Sequence, residues 1–517
     1  MSFSTVLYFF HVLWAIPNFV FSRQPESRDS SRFEVVSLPD SPSLPDSWAG
    51  RLPVPGAEAG NDIFFWLFET EDDEYDDNLI IWLNGGPGCS SLIGLTTGNG
   101  PISFVGNSTR LERNPYSWTK LGHVLYVDQP VGTGLSTASD PYPLHNNDGV
   151  TTDFVSWLRE FVSYFPHLQS KELHLIGESY AGIYIPYIAA ALLDGNGSLS
   201  LNLRSMSLGD GSWGNAAAMS SVAVGTYMHS QSSLLKVPKN ILAAFSSADH
   251  ACGFDDTLKQ ANSYPPTGKI HVPGDPEHLN HRRRSRRDLV SVGNGECDTQ
   301  ISTPAEVSNS ILNSTCNGPC ATFSTALNYL AVISVAGTGP ACFDIYDIHH
   351  DCETVDPLPL LAEYFSRGDV QSALHAGNAG SFSPCNSTIL GTLLAVPPPP
   401  PAYSVLPDLV TNHNISLHFY NGEWDMLINH LGTELSIQNM TWHGAQGFSQ
   451  KPSRPFYAND AAPETDDDQM GNAIGIWTAE RGVSYHLFHG AGHSVFATKQ
   501  QEMFAYVRDA VLGEETE

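Results

Sequence analysis

The sequence predicts an α/β protein: a central, mostly parallel sheet with helices on both faces, broken by a disulfide-stapled insertion (cap). Short, largely apolar runs recur at Ile63–Phe68, Leu79–Leu83, Val124–Val127, Leu173–Ile176, Ile415–Tyr420 and Ser484–Phe488. They are too short for core helices and rich in β-branched and aromatic residues, as buried strands are. A helical pattern around Asp153 to Phe165 falls between two of them. Strands alternating with helices imply crossover connections and a parallel sheet covered on both faces. From about Val222 to Pro340 this pattern weakens while cysteines gather, which marks the insertion.

In chain order, residues 1–22 read as a signal peptide and 23–46, rich in Ser, Pro and charge, as a mobile leader. Residues 47–221 form the first part of the core, 222–340 the insertion and 341–517 the second part. The apolar run Val6 to Phe21 is too short for a comfortable membrane span, and small Ser22 offers a cleavage site. No span is expected in the mature chain. The run His281 to Arg287, with five arginines, suits a loop cut by a dibasic-specific protease, leaving two disulfide-linked fragments. Five consecutive prolines, Pro397 to Pro401, form a stiff spacer before the strand pattern returns.

Across 517 residues, 41% are hydrophobic and 15% charged, as in a globular chain long enough for a large core. The net charge of −30 lacks the basic footprint of a nucleic-acid binder, and suits a compartment of low pH. Six sequons, Asn107, Asn196, Asn313, Asn386, Asn414 and Asn439, agree with export and glycosylation. The eight cysteines form an even set. Cys316 and Cys320 have no second pair or histidine set to complete a zinc site, so disulfides are the better reading in an oxidising compartment. No metal or cofactor is expected.

Four motifs carry chemistry. Leu175 to Gly182 reads as a strand, a sharp turn and a helix, with Ser179 at the turn. Such an elbow, flanked by small residues, leaves the hydroxyl exposed with the next N–H beside it. Ala181 stands where the strict pattern has a second glycine. The loop Asn84-Gly85-Gly86-Pro87-Gly88 ends another strand, and its bare N–H groups suit an oxyanion; Gly86 and Tyr180 are assigned that role. The loop lacks the Gly-Lys-Ser/Thr ending of a phosphate cradle. Asp425 and His493 follow the two late strands, completing the order Ser, Asp, His of an α/β-hydrolase triad: nucleophile, orienting acid and base. His489 and His493 share an i, i+4 spacing, but Gly490 and Gly492 disfavour the helix a zinc pair would need.

These segments, with Asp128-Gln129-Pro130-Val131-Gly132-Thr133-Gly134 and Gly490-Ala491-Gly492-His493, resemble the serine carboxypeptidases over about Trp48 to Tyr506. The resemblance implies release of single residues from the C-termini of peptides and proteins at acidic pH, in a vacuole, a lysosome or outside the cell. An acyltransferase or esterase on the same scaffold is the alternative. It implies that Asn84 and Glu178 bind the terminal carboxylate and that Cys89 pairs with Cys385, the other six cysteines pairing among themselves, with Cys342–Cys352 one option. Two carboxylates share a site only with a proton between them, so Glu178 must be protonated, which explains an acid optimum.

The chain departs from the family pattern at three places. Gly98 stands where a glutamate is usual, Ile428 where many relatives have cysteine, and Ser494 and Phe496 where Met and Pro follow the histidine. The first suggests that Glu178, lacking an acidic neighbour, has a lower pKa than in relatives, and that Gly98→Glu would restore affinity. The other two touch the S1 side and access to the site.

Overall fold

The structure is a computed structural model that describes residues 28–194, 199, 201–273, 301–313, 318–377, 380–395, 402–458 and 473–513. The expected signal peptide, the first residues of the leader, Asn196, the arginine run, Cys297, Cys316 and the proline spacer lie outside the described residues.

Fourteen strands are described: β1 Ser47–Pro53, β2 Asp62–Phe68, β3 Asn78–Leu83, β4 Ile102–Phe104, β5 Leu111–Arg113, β6 His123–Asp128, β7 Glu172–Glu178, β8 Asn202–Gly209, β9 Ser416–Gly422, β10 Thr441–Trp442, β11 Ala445–Gln446, β12 Arg454–Phe456, β13 Gly475–Glu480 and β14 Val483–Phe488. Ten form one sheet in the order β1-β2-β6-β3-β7-β8-β9-β14-β13-β12; β4/β5 and β10/β11 are separate hairpins. The six central strands, β6 to β14 in that order, run parallel, and the pairs at either edge are antiparallel.

Period-two alternation explains why these apolar runs make one sheet with two cores. Phe65, Leu67, Ile81, Leu83, Leu125 and Val127 pack on one face, under the helices Asn147–Tyr164 and Ala181–Leu193. Phe64, Trp66, Phe68, Ile80, Trp82 and Tyr126 pack on the other, against the helices Leu358–Phe365 and Gln500–Tyr506. The helix Asn147–Tyr164 buries Val150, Phe154, Trp157, Leu158 and Phe161 at helical spacing, and Asn146 caps it by accepting from the Gly149 N–H at 2.9 Å.

Between β8 and β9 the regular elements among the described residues are helices, and Val224, Phe245, Ile311 and Leu330 give part of this stretch its own apolar cluster. Cys252–Cys320 staples it, Cys342–Cys352 closes a short loop, and Cys89–Cys385 ties the two parts of the core together.

One expectation is corrected. From Arg28 onward the leader is packed rather than loose: Phe33, Val35 and Leu38 are buried, and Phe33 stacks edge-on against Phe65 at 5.3 Å. Val35 N–H donates to Ser47 O, and Tyr364 Oη to Pro39 O. Three apolar side chains among prolines and serines are enough to hold the segment once a sheet edge and a neighbouring surface are available.

Candidate active site

Strand register brings the motifs together. Leu83 pairs with Gly177, Glu178 with Gly209, Gly209 with Tyr420, and Gly422 with Phe488. Asn84, Ser179, Asp210, Asp425 and His493 therefore all leave the carboxyl ends of adjacent parallel strands, where open α/β sheets collect their sites.

Ser179 has φ 63°, a left-handed conformation uncommon outside glycine. Backbone bonds hold it there: its N–H donates to Gly209 O at 2.9 Å, and its carbonyl accepts from Gly182 N–H (2.9 Å) and Ser212 N–H (3.0 Å). Such a strained turn at a site is maintained only because its surroundings over-determine it. The glycine loop lies directly on it. A Cβ on Gly85 would meet Glu178 O at 2.7 Å and Ser179 Cβ at 2.8 Å, as well as the Tyr180 nitrogen. Gly86, at φ 107°, turns the loop. Neither the Gly86 nor the Tyr180 N–H has a partner among the described residues, so both donors are free.

Asp425 is fully buried. Its Oδ1 accepts from the Leu427 (2.7 Å) and Ile428 (3.2 Å) N–H groups, and its Oδ2 accepts from His493 Nδ1 at 2.7 Å. Burial pulls the imidazole toward its neutral form, but the charge and hydrogen bond of Asp425 outweigh this and raise its pKa. The His493 backbone N–H donates to Tyr346 O at 2.7 Å, and the Tyr346 ring stands 5.1 Å away. The loop closed by Cys342–Cys352 is thus stitched to the histidine, and also to the Asp425 segment through Ile345 O.

Glu178 is buried, and burial pushes it up to about 8. Nearby His493 and a hydrogen bond from Ser494 Oγ (3.2 Å to Oε1) pull it down, and Asp425 pushes it up. Its Oε2 has no partner among the described residues. The acid thus stays protonated through the acidic range because of burial, without a second carboxyl at position 98. Asn84 Oδ1 accepts from Trp82 Nε1 (2.7 Å) and Gly94 N–H (3.1 Å), which leaves its amide nitrogen without a partner among the described residues.

The expected benefit of Gly98→Glu is corrected. Gly98 does not have a positive φ. Instead a Cβ there would meet the Phe496 carbonyl carbon at 2.6 Å and its ring Cδ2 at 2.8 Å. The space for a side chain is filled by backbone.

Asp210 escaped the sequence reading. It is buried, at φ 40°, accepts from the Gly422 N–H and Asn421 Nδ2, and lies against Asp425. Burial, then the Asp425 charge, raise its pKa well above the ordinary value. Asp210, Asp425 and His493 offer atoms within 4.8 Å of one another. The His493 Nδ1 and both Asp425 oxygens are already used in hydrogen bonds, so the group reads as a hydrogen-bonded cluster rather than a cation site.

Among the sequons, Asn107, Asn313 and Asn414 are exposed. Asn386 donates to Gly132 O at 2.9 Å, and Asn439 pairs with Ile270 through both its oxygen and its nitrogen, so these two hold the fold together.

A serine on a strand–helix elbow beside free N–H donors, with an Asp–His pair from the next strands, defines a serine hydrolase of the α/β class. The family model for serine carboxypeptidases matches residues 43–513, and the chain belongs to that family. It is 46% identical over 492 residues to a carboxypeptidase Y homolog of Arthroderma benhamiae, covering 93% of this chain and 94% of the relative. It is 31% identical over 481 residues to the serine-type carboxypeptidase F of Aspergillus niger (89% and 83%). The structure of Kex1(delta)p, a prohormone-processing carboxypeptidase from Saccharomyces cerevisiae, shares the fold with a TM-score of 0.63 at 22% identity, over 93% of this chain and 96% of that one. The protein is a serine-type carboxypeptidase, a hydrolase of the exopeptidase type.

Proposed function

We propose that the enzyme releases residues from free C-termini of peptides and proteins through an acyl-enzyme on Ser179, over the pH range in which Glu178 keeps its proton and His493 can accept one. His493 takes the Ser179 proton as Oγ attacks the last peptide carbonyl, and Asp425 holds the imidazole in the tautomer that can accept it. The Gly86 and Tyr180 N–H groups receive the oxyanion. On collapse the C–N bond breaks, and His493 gives its proton to the departing amine. Water then enters by the same route in reverse and frees the acid. Asn84 Nδ2 and protonated Glu178 grip the terminal carboxylate, so an internal peptide bond has nothing to offer them.

The observation that carries this reading is Glu178: a buried carboxyl next to the nucleophile, held protonated by burial and lacking a partner on Oε2. The test compares an N-blocked dipeptide with its C-terminal amide at pH 5. The free acid should be turned over at least ~10-fold faster, as expected for a charge-assisted grip. Equal turnover would favour an esterase or acyltransferase instead.

We read residues 1–22 as a signal peptide and the exposed sequons Asn107, Asn313 and Asn414 as glycan acceptors, and this reading, with the disulfides, supports passage through the secretory pathway. Residues 222–340 act as the cap over the sheet in this reading. Among the described residues, no helix is long and apolar enough to cross a membrane.

A further inference from the structure

Glu178 is the most consequential buried acid in the site, and its surroundings are unevenly built. Oε1 accepts the Ser494 hydroxyl at 3.2 Å, whereas Oε2 is buried with no partner among the described residues. Among the described residues, Ser494 is the one group that donates to this carboxyl. It is also fixed in place: it precedes the short helix Val495–Thr498, and its carbonyl accepts from Ala497 and Thr498 N–H. Phe496 of that helix packs on Trp82 at 4.9 Å, and Trp82 holds Asn84. The two residues assigned to the terminal carboxylate are thereby linked through one turn of chain that also begins beside His493.

We propose that Ser494 is a positioning residue for the terminal carboxylate: by donating to Oε1 it places the acid proton of Glu178 on Oε2 and sets the pH at which that proton is lost. This rests on the reading of Glu178 as the carboxylate-binding group. The chemistry follows from donor and acceptor counting. A hydroxyl that donates to one oxygen of a carboxyl leaves the other as the site for the proton, and that O–H can then donate to a substrate carboxylate. The same bond is stronger to the ionised form, so it favours ionisation. The acid therefore lets go of its proton at a lower pH than burial alone would dictate.

The groups facing Glu178 from other elements are His493 and Ser494 after β14, Asp425 after β9, Asp210 after β8, Tyr420 on β9 and Tyr346 in the disulfide-closed loop. His493 is the other titrating group expected to shape a rate profile, and it acts on every substrate alike. Glu178 acts through its proton on substrates with a free carboxylate. That difference separates the two.

The test is the pH profile of kcat/KM for an N-blocked dipeptide and for its amide, in wild type, Ser494→Ala, Ser494→Thr and Glu178→Gln. In Ser494→Ala the alkaline limb of the free-acid profile should move up by about 1 pH unit, a tenfold change at a pH on that limb. The amide profile should keep its position. Ser494→Thr, which keeps the hydroxyl, should retain the wild-type limb. An alkaline limb that stays put in Ser494→Ala, or that moves equally for acid and amide, overturns the proposal. Should the alanine variant not fold, Ser494→Cys keeps the volume and weakens the donor, and an unmoved limb there is equally decisive. Glu178→Gln tests the underlying reading separately: the amide of glutamine donates at every pH, so the free-acid limb should disappear. If it persists, Glu178 is not the carboxylate-binding group. If it disappears while Ser494→Ala leaves the limb in place, only the role of Ser494 is lost.

Discussion

Replacing Gly98 is the most informative way to perturb the site without touching a catalytic group. The added Cβ in Gly98→Ala would stand 2.6 Å from the Phe496 carbonyl carbon and 2.8 Å from its ring, against ~3.5–4.0 Å for an ordinary carbon contact. The ring could swing, but the carbonyl belongs to the backbone, so Phe496 itself must shift by about 1 Å. Overpacking of this kind costs about 2–3 kcal/mol. The displacement also has a direction. Phe496 lies two residues from Ser494 and against Trp82, so both Glu178 and Asn84 lose their supports. A misplacement of ~1 Å can cost up to ~100-fold in rate, and we expect Gly98→Ala to lose 10- to 100-fold in kcat/KM on a free-acid dipeptide. Gly98→Glu should be no better than alanine, because its carboxyl has to pass the same carbonyl. Urea midpoints and kinetics on both variants check this. Wild-type stability and rate in Gly98→Ala would show that the two backbones do not approach as closely as described, and a lowered KM in Gly98→Glu would overturn the packing argument.

Other expectations are simpler. Ser179→Ala should lose at least ~10⁴-fold in kcat while keeping its denaturation midpoint, and Asp425→Asn should lose activity through the wrong tautomer; an active Ser179→Ala would rule out the acyl-enzyme. Replacing Cys89 and Cys385 together by serine opens a link spanning 296 residues and should cost about 6 kcal/mol in the chain-entropy model, read as a lower urea midpoint; an unchanged midpoint would refute it. Stability should pass through a broad maximum at roughly pH 4.5–6.5, where the losses from two opposed sets of buried groups offset one another. Burial holds His174, His418 and His486 down at about 3, so the stability they carry is full above pH 6.5 and is lost as pH falls toward 3. Burial holds Asp128 up at about 6, Asp249 and Glu434 at about 7 and Glu178 at about 8, so their contribution is full in acid and is lost as pH rises through those values. Thermal midpoints that keep rising from pH 4.5 to 3, or from 6.5 to 9, would contradict that assignment.

The sequence by itself determined the parallel sheet and the motifs that follow the carboxyl ends of its central strands. Runs such as Leu79–Leu83 and Leu173–Ile176 are buried on both faces, so their composition announces them wherever they end up. The elbow at Ser179 and the histidine at 493 were legible because small residues in the chain itself permit those turns. β8 was not legible. Its Ser205 and Ser207 are buried, where they pair with His174 and Tyr506, so an apolar-run rule passes over them. The packing of Phe33 and Val35, the approach of Phe496 to Gly98, and the placing of Asp210 against Asp425 were likewise decided only in the folded chain. Ser494 and Glu178 are 316 residues apart, and their hydrogen bond exists because β7 and β14 deliver their ends to one rim of the sheet. Periodicity and turn chemistry are set by neighbours along the chain. Which polar groups meet, and so how strongly Glu178 holds its proton, depends on strand order and register, to which residues hundreds of positions apart contribute equally.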